Sequence, residues 1–455
     1  MQGIAAITGA RAAWANGYAG QGVDVAVLDT GVSPVPGLDA PGKIVNGVDV
    51  SFDSQQPGLE FLDGYGHGTH LASIIAGNDA GTNAPLSAAT GFQGIAPSAR
   101  IVNVRAGDAL GRVDVTQVIA GLDWIVAHQR SGGLNIRVVL LAYGTDSTQS
   151  YKADPLAHAV ENAWRHGIVV VTSAGNAGFD VNKSTQGLTM PALDPMVIAV
   201  GGANPNGTLT TVDDTVAGFS SAGADKRNPD FLAPAVSVEG LNVPGSTVDH
   251  LYGTTAVDGR YVRGSGTSQA AAVVAGLVAD LLSARPTLTP DQTKALLAST
   301  AHKLPKVDAA AQGFGEVNLV TADLSSTPKT KARPASPGGG SIDASRGSAR
   351  VVHEGTPLSG EIDWLGQPLS GMALAAAEDA DTAWIDGSWL DRALVGASWP
   401  VPSWDGESWT SRSWTDEGWD SRSWTDAGWT SRSWTDAAWL SRSWTSRSWT
   451  DSSWQ

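Results

Sequence analysis

The sequence predicts an α/β fold: a three-layer α/β/α domain with a mostly parallel sheet, followed by a Trp-rich β-type appendage. Over residues 1–323, short and continuously apolar runs alternate with longer amphipathic ones. Buried strands separated by helices are typical of βαβ units, in which helices cover both faces of a parallel sheet. Residues 384–455 instead repeat Trp at five-residue intervals, which predicts a separate element.

Five apolar runs predict the buried strands: 23–28, 101–104, 138–141, 168–171 and 197–200. Helices are predicted over 114–128, where Val118, Leu122 and Ile125 share one face, and over 155–164. Residues 324–345 are rich in Pro, Gly, Ser and Lys, which predicts a linker. Residues 346–383 contain short alternations that predict a small β-type segment.

Composition excludes several classes of protein. With 455 residues, 42% of them hydrophobic, the chain can bury a large core. A net charge of −16 argues against a nucleic-acid or anionic-membrane surface. No Cys is present, which excludes disulfides, a thiolate nucleophile and Cys-based zinc sites. No signal peptide and no membrane-spanning run are visible.

The repeat places Trp at nearly every fifth position from Trp384 to Trp454. A five-residue step gives a single aromatic stripe neither on an α-helix nor on a β-strand. A solenoid-like path with a turn in every unit, or an extended chain bound to a periodic partner, would give one. We therefore expect a stacked or adhesive β-type element that contacts a cell envelope or polysaccharide, or a tail whose rings only stabilise one another.

Three glycine-rich motifs lie where an α/β sheet would place a site. Asp29 ends an apolar strand, in Asp-Thr-Gly at 29–31. His67 stands in Gly-His-Gly-Thr-His at 66–70, at the expected start of a helix. Ser268 stands in Gly-Thr-Ser at 266–268, in the first turn of a long apolar helix. Acyl transfer needs a nucleophile, a base and a carboxylate that orients the base, and these residues supply that set.

These motifs, in this chain order, resemble the subtilase family of serine peptidases over about residues 8–323. Further segments match the family pattern, at 94–97, 169–176, 191–192, 232–234 and 313–318. The resemblance implies a subtilisin-like fold, Asp29, His67 and Ser268 as catalytic triad, and Asn176 as oxyanion donor. It also implies a substrate-binding cleft lined by Ala142, Tyr143, Gly144, Ser173, Ala174 and Gly175.

The chain departs from the family pattern near the cleft. Gln269 and Ala272 stand where the family commonly has Met and Pro, and Ala142 and Tyr143 replace Ser-Leu. These changes bear on the shape of the P1 and neighbouring pockets. The stretch after Gly31 does not match the calcium-ligating pattern cleanly, so any structural calcium has no assigned ligands. No cofactor is expected to be required for catalysis.

Competing interpretations are weaker. Asp-Thr-Gly is also the signature of aspartic peptidases, whose chemistry needs two carboxylates, and the chain has one copy. His67 and His70 form an HxxH pair, but the Glu of HExxH and a third ligand are missing. A catalytically silent scaffold, with the Trp repeat as envelope-binding or self-associating module, remains the alternative.

We therefore predict a serine endopeptidase acting on proteins or peptides, with a broad or apolar P1 preference. No acidic residue stands in 141–145 or 172–176, the segments that resemble the cleft walls. The family usually carries a leader and a pro-region, so we expect the chain to be a mature or truncated form of an exported bacterial enzyme, secreted or at the cell surface.

Overall fold

The computed structural model describes residues 1–384, apart from residues 57, 80–90, 179–186, 224–226, 253–258, 323–324, 349 and 354–355. The expectation of a β-type stack over the Trp repeat therefore falls, beyond Trp384, outside the described residues.

The centre of the fold is an eight-stranded sheet. Its strands are β1 (Asp24–Asp29), β2 (Ile44–Asp49), β3 (Arg100–Arg105), β4 (Ile136–Leu141), β5 (Val169–Ser173), β6 (Ile198–Asn204), β7 (Thr215–Val216) and β8 (Phe231–Pro234). Every residue of β1, β4 and β5 is buried. These strands are rich in Val, whose β-branched side chain packs well on a pleated sheet.

The strands follow the order β2-β3-β1-β4-β5-β6-β7, with β8 also paired to β6. All the pairs are parallel except that of β6 with β7. The predicted mostly parallel sheet is confirmed. Each of the five predicted strands corresponds to one of these, with ends that differ by at most four residues.

Helices cover both faces of the sheet. They are α1 (Gln2–Ile7), α2 (Ala10–Ala15), α3 (His67–Ala76), α4 (Val115–His128), α5 (Pro155–Arg165), α6 (Thr247–Tyr252), α7 (Thr267–Ala284), α8 (Pro290–Thr300), α9 (Ala309–Gln312) and α10 (Leu319–Ala322). Helix α3 packs against α7, and α4 packs against α5. Both pairs contact the sheet, which gives the predicted three layers.

The two helices predicted from sequence start at side-chain caps. Asp114 accepts the N–H of Thr116 at 3.0 Å, while Gln117 accepts the N–H of Asp114 at 2.6 Å, a reciprocal capping box at α4. Asp154 accepts the N–H of Leu156 at 3.0 Å, and Pro155 follows at the first position of α5, where its missing N–H costs nothing.

Helix α7 has the length and apolar composition of a membrane span, but it is largely buried inside the domain, as a core helix is. It packs on β4, β5, β6 and β8. Beside it, strands β9 (Val238–Leu241) and β10 (Tyr261–Gly264) form an antiparallel pair that leads into its N-terminus.

The chain after residue 336 packs onto the α4 and α5 side of the domain. It contains α11 (Ile342–Ser345), the two-residue strands β11 (Val352–His353) and β12 (Thr356–Pro357), and α12 (Gly371–Asp379). Helix α12 packs on α5, and α11 contacts both α4 and α5. The sequence led us to expect a linker and short strands here, and the two helices are additional.

Candidate active site

Asp29 is the last residue of β1 and is 1% exposed. Its carboxylate accepts the backbone N–H of Thr30 at 2.8 Å. The Thr30 hydroxyl lies 3.2 Å from the same carboxylate and 2.9 Å from Asp63, and accepts the N–H of Gly68 at 3.0 Å. The turn after β1 is thereby joined to the start of α3.

His67 is the first residue of α3, and Asp63 holds that helix end in place. The Asp63 carboxylate accepts the N–H of Gly66 at 2.6 Å and that of Thr69 at 2.7 Å. Gly68 brings the helix against the Asp29 turn: a Cβ at residue 68 would lie 2.2 Å from the carbonyl oxygen of Gly31. Only glycine permits this approach.

The approach joins the two predicted residues. The Nδ1 of His67 lies 2.9 Å and 3.0 Å from the two carboxylate oxygens of Asp29. Both side chains are almost fully buried. Burial lowers the pKa of His67, with the carboxylate of Asp63 acting against it, so the neutral imidazole that can accept a proton is favoured. Burial likewise raises the pKa of Asp29, and hydrogen bonds from Thr30 oppose that rise.

Ser268 is the second residue of α7 and is 2% exposed. Helix α7 packs directly against α3, which carries His67. Its backbone N–H belongs to the first turn of the helix, where N–H groups have no partner within the helix itself.

Asn176 follows β5 and is anchored to the start of α7. Its Oδ1 accepts both the N–H and the hydroxyl of Thr267, each at 2.9 Å. The Thr267 hydroxyl in turn accepts the N–H of Gly175 at 3.2 Å. This pattern fixes which amide atom of Asn176 is oxygen, since both contacts to Oδ1 are donors.

The Nδ2 of Asn176 and the backbone nitrogen of Ser268 lie near one position beside Gly266. A Cβ built on Gly266 would lie 3.5 Å from the Nδ2 of Asn176 and 3.8 Å from the backbone nitrogen of Ser268, with the Oε1 of Gln269 nearer, at 2.9 Å. Preorganised donors of this kind stabilise an oxygen that gains negative charge.

The segments expected to line the cleft lie at the carboxyl ends of β4 and β5. Ala142, Tyr143 and Gly144 follow β4 directly. Ser173 ends β5, and Ala174 and Gly175 follow it. All six are buried. Strand β4 lies next to β1, which ends in Asp29, and β5 lies on the other side of β4. Ligands of parallel α/β sheets bind at this edge.

Sequence reasoning did not single out four residues that support this site: Thr30, Asp63, Arg105 and Thr267. Arg105 is fully buried, donates to the carbonyl of Thr30 at 3.1 Å and pairs with Asp49 and Asp53 at 3.1 and 2.6 Å. Thr30 and Thr267 lie inside the motifs and Asp63 lies three residues before Gly66, so their position was a usable signal. Arg105 lies in no motif that could have indicated its role, because its partners are distant in sequence.

Within the described parts of the chain, no group of three or more His, Asp and Glu side chains is placed to hold a metal ion. The expectation about structural calcium stays a prediction without assigned ligands.

A buried Asp–His pair beside a helix with Ser in its first turn is the arrangement typical of serine hydrolases. A sequence model of the subtilase family matches residues 20–316. The chain belongs to that family of serine peptidases.

Curated relatives carry the same family's names. Serine protease AprX of Bacillus subtilis (strain 168) is 36% identical over 305 residues, 66% of this chain and 65% of AprX. Subtilisin DY of Bacillus licheniformis is 33% identical over 68% of this chain and 93% of its own length. Subtilisin E of Bacillus subtilis (strain 168) is 35% identical over 63% of this chain and 62% of its own length. The chain thus spans less than two thirds of AprX and Subtilisin E.

Proposed function

We propose that the protein is a serine endopeptidase that cleaves peptide bonds through an acyl-enzyme. The observation that carries the proposal is the contact of His67 Nδ1 with both carboxylate oxygens of Asp29, 2.9 and 3.0 Å away. This contact leaves Nε2 as the ring atom that exchanges protons, on a helix packed against the one that carries Ser268. A catalytically silent scaffold is not favoured, because each group that the chemistry needs is present.

In the proposed reaction, the Oγ of Ser268 attacks the scissile carbonyl carbon while His67 takes its proton at Nε2. Asp29 keeps the ring in the tautomer that carries hydrogen on Nδ1 and stabilises the imidazolium. The imidazolium then donates its proton to the amine as the C–N bond breaks. Water attacks the acyl-enzyme by the reverse roles and regenerates Ser268.

The carbonyl oxygen becomes negatively charged in the tetrahedral intermediate. The Nδ2 of Asn176 and the backbone N–H of Ser268 flank the space beside Gly266, where that oxygen would lie. One such donor contributes ~3 kcal/mol to the stabilisation of the transition state in serine peptidases. Because Thr267 fixes the amide, the donor needs no rearrangement during the reaction.

Ser268→Ala tests the proposal. Loss of the nucleophile should lower kcat on a chromogenic peptide by more than about 1,000-fold. Ser283→Ala is the matched control: it lies near the other end of α7, where its hydroxyl donates to the carbonyl of Asp280 and accepts the N–H of Gly20 at 3.4 Å. Residual activity of Ser268→Ala within tenfold of the wild type, or survival of wild-type activity after a serine-directed phosphonylating reagent, would contradict the assignment.

The P1 preference should be broad or apolar. The cleft segments 141–145 and 172–176 carry no acidic side chain that would select Lys or Arg. Peptide-library profiling distinguishes this from a dominant dibasic preference, which would contradict it.

We also propose that the enzyme works outside the cytoplasm, on protein or peptide substrates, with the Trp repeat contacting a cell envelope or polysaccharide. The aromatic period of the tail supports the envelope contact, and the lack of Cys is compatible with secretion as well as with the cytosol. Fractionation of the producing cells tests it, because activity confined to the cytosol would contradict it.

A further inference from the structure

Two loops leave the sheet on either side of the strand that ends in Asp29. Strand β1 lies between β3 and β4. Residues 106–114 follow β3 and lead to Asp114 at the start of α4, and residues 142–154 follow β4 and lead to Asp154 at the start of α5. These two loops therefore flank the carboxyl edge of the sheet beside Asp29.

Arg346, from the C-terminal part of the chain, is buried against the first of these loops. Its side chain is 1% exposed. The Nε donates to Asp114 at 2.7 Å, and Nη1 donates to the carbonyl of Gly360 at 2.8 Å. Burial alone would lower the pKa of Arg346, but Asp114, with Asp343 and Tyr143, raises it above the ordinary value. The guanidinium is therefore a fixed cation beside the cleft residue Tyr143.

The neighbours of Arg346 hold the second loop. The carbonyl of Ser345 accepts the hydroxyl of Thr145 at 2.7 Å, directly after the cleft residue Gly144. The hydroxyl of Ser345 donates to Asp154 at 2.9 Å. Ser348 donates to Asp146 through its N–H and its hydroxyl, each at 2.7 Å.

A further hydrogen bond joins the C-terminal segment to helix α4. The backbone N–H of Trp364 donates to the hydroxyl of Thr116 at 3.1 Å, and Trp364 is 1% exposed. Ser345, Arg346, Ser348 and Trp364, which we call the loop bridge, thus join the helix caps Asp114 and Asp154 to one another. Buried, charge-assisted bonds of this kind hold two elements at one separation.

We propose that the loop bridge fixes the separation of the two loops and so the width of the cleft that binds the residues before the scissile bond. The bridge thereby sets the preference for extended substrates, with Arg346 as its positioning residue. The inference rests on the proposed peptidase function. A rigid, preformed cleft lowers the ordering cost of binding a long peptide chain. A substrate with one residue before the scissile bond does not reach the loops beyond Tyr143 and gains nothing from their spacing.

The test compares kcat/KM for a tetrapeptide anilide and for a single-residue ester of the same P1 residue. Arg346→Ala should lower the tetrapeptide-to-ester ratio by about tenfold or more, through the KM of the tetrapeptide. Arg346→Lys should restore part of the ratio, because an ammonium keeps the charge but not the forked contacts. Arg165→Ala is the matched control: it removes a 2.8 Å contact to Asp379 of the same C-terminal segment, away from both loops, and should leave the ratio within twofold.

Ser345→Ala removes the 2.9 Å hydroxyl bond to Asp154, outside the cleft segments, and should lower the ratio by about threefold. It decides alone if Arg346→Ala does not fold. An unchanged ratio in Ser345→Ala and in folded Arg346→Ala, or equal losses on both substrates, overturns the inference. A wild-type chain that hydrolyses neither substrate overturns the proposed function instead.

Discussion

Thr267 shows how one side chain prepares the site without reaching the substrate. Its hydroxyl accepts from Gly175 and donates to Asn176, while its N–H donates to the same amide oxygen. These bonds therefore fix the segment after β5, which contains Gly175 and Asn176, relative to the start of α7. The direction of the Asn176 N–H groups depends on this hydroxyl.

Thr267→Val should lower kcat about tenfold with KM little changed, because the N–H bond to Asn176 remains while the hydroxyl bond is lost. Asn176→Ala should lower kcat by about 100-fold or more, as the loss of one oxyanion donor does in serine peptidases. Thr267→Ser keeps the hydroxyl and should recover most of the rate. Steady-state kinetics on one peptide checks all three, and a pure KM effect would argue against the oxyanion role.

At the scale of residues, Asp29, His67, Ser268 and Asn176 could be proposed from sequence because each lies in a short motif that needs close glycine contacts. Gly68 illustrates the point, since a Cβ there would collide with Gly31. Arg105 could not be proposed, because its contacts with Asp49, Asp53 and Thr30 exist only after β2, β3 and the β1 turn have come together. Long-range ion pairs leave no local pattern.

At the scale of elements, α12 docks through a buried pair of carboxyl groups. Glu378 of α12 faces Asp123 of α4, and both are almost fully buried. Burial raises the pKa of Glu378 well above its ordinary value, and Asp123 and Asp379 add to the rise while Arg165 opposes it. The Nε2 of His158, on α5, lies 3.5 Å from Glu378. A shared proton between the two carboxyl groups is the arrangement that this interface favours.

Glu378→Gln should therefore stabilise the protein at neutral and alkaline pH. A raised carboxyl pKa means that the folded state binds more protons than the unfolded one, so wild-type stability falls as pH rises from about 4.3 toward the folded pKa. Gln keeps a hydrogen-bond donor and loses no proton. Its advantage should be near zero at pH 4 and grow steadily as the pH rises to 8.

Thermal unfolding midpoints measured between pH 4 and pH 8 check this expectation. Glu60→Gln is the control, since Glu60 is exposed and its midpoint difference should not grow with pH. A Glu378→Gln protein that is less stable than the wild type at pH 8 would show that the pair is held ionised instead.

At the scale of the whole molecule, the parallel sheet and its helical layers were predictable because apolar runs and amphipathic periods are local signals. The packing of the chain after residue 336 was not. The composition of residues 324–345 suggests a linker and the alternations of 346–383 suggest short strands, yet Arg346 and Trp364 are buried against α4 through partners more than 200 residues away. A composition rich in Pro, Gly and Ser indicates that helix and strand periodicity is missing. An irregular segment held by side-chain hydrogen bonds has the same composition.

The Trp repeat gives the last prediction. Residues 399–455 contain five Arg and eight Asp or Glu, and this negative balance disfavours attraction to a phosphate polymer. Aromatic rings bordered in sequence by hydroxyl groups suit stacking on sugar rings. Deletion of residues 385–455 should leave hydrolysis of a short soluble peptide intact, because the Asp29, His67, Ser268 and Asn176 side chains all lie in the retained part.

The cut follows Trp384 because that ring lies edge-on to His128, with centroids 5.9 Å apart, and belongs to the docked C-terminal segment. Retention on isolated cell walls or polysaccharide should fall for the shortened protein. A full-length variant with Ser at the Trp positions after 384 separates the rings from mere length, and it should behave like the deletion. Equal retention of all three proteins would remove the tethering hypothesis and leave mutual packing of the rings, which a lower unfolding midpoint of the Ser variant would then reveal.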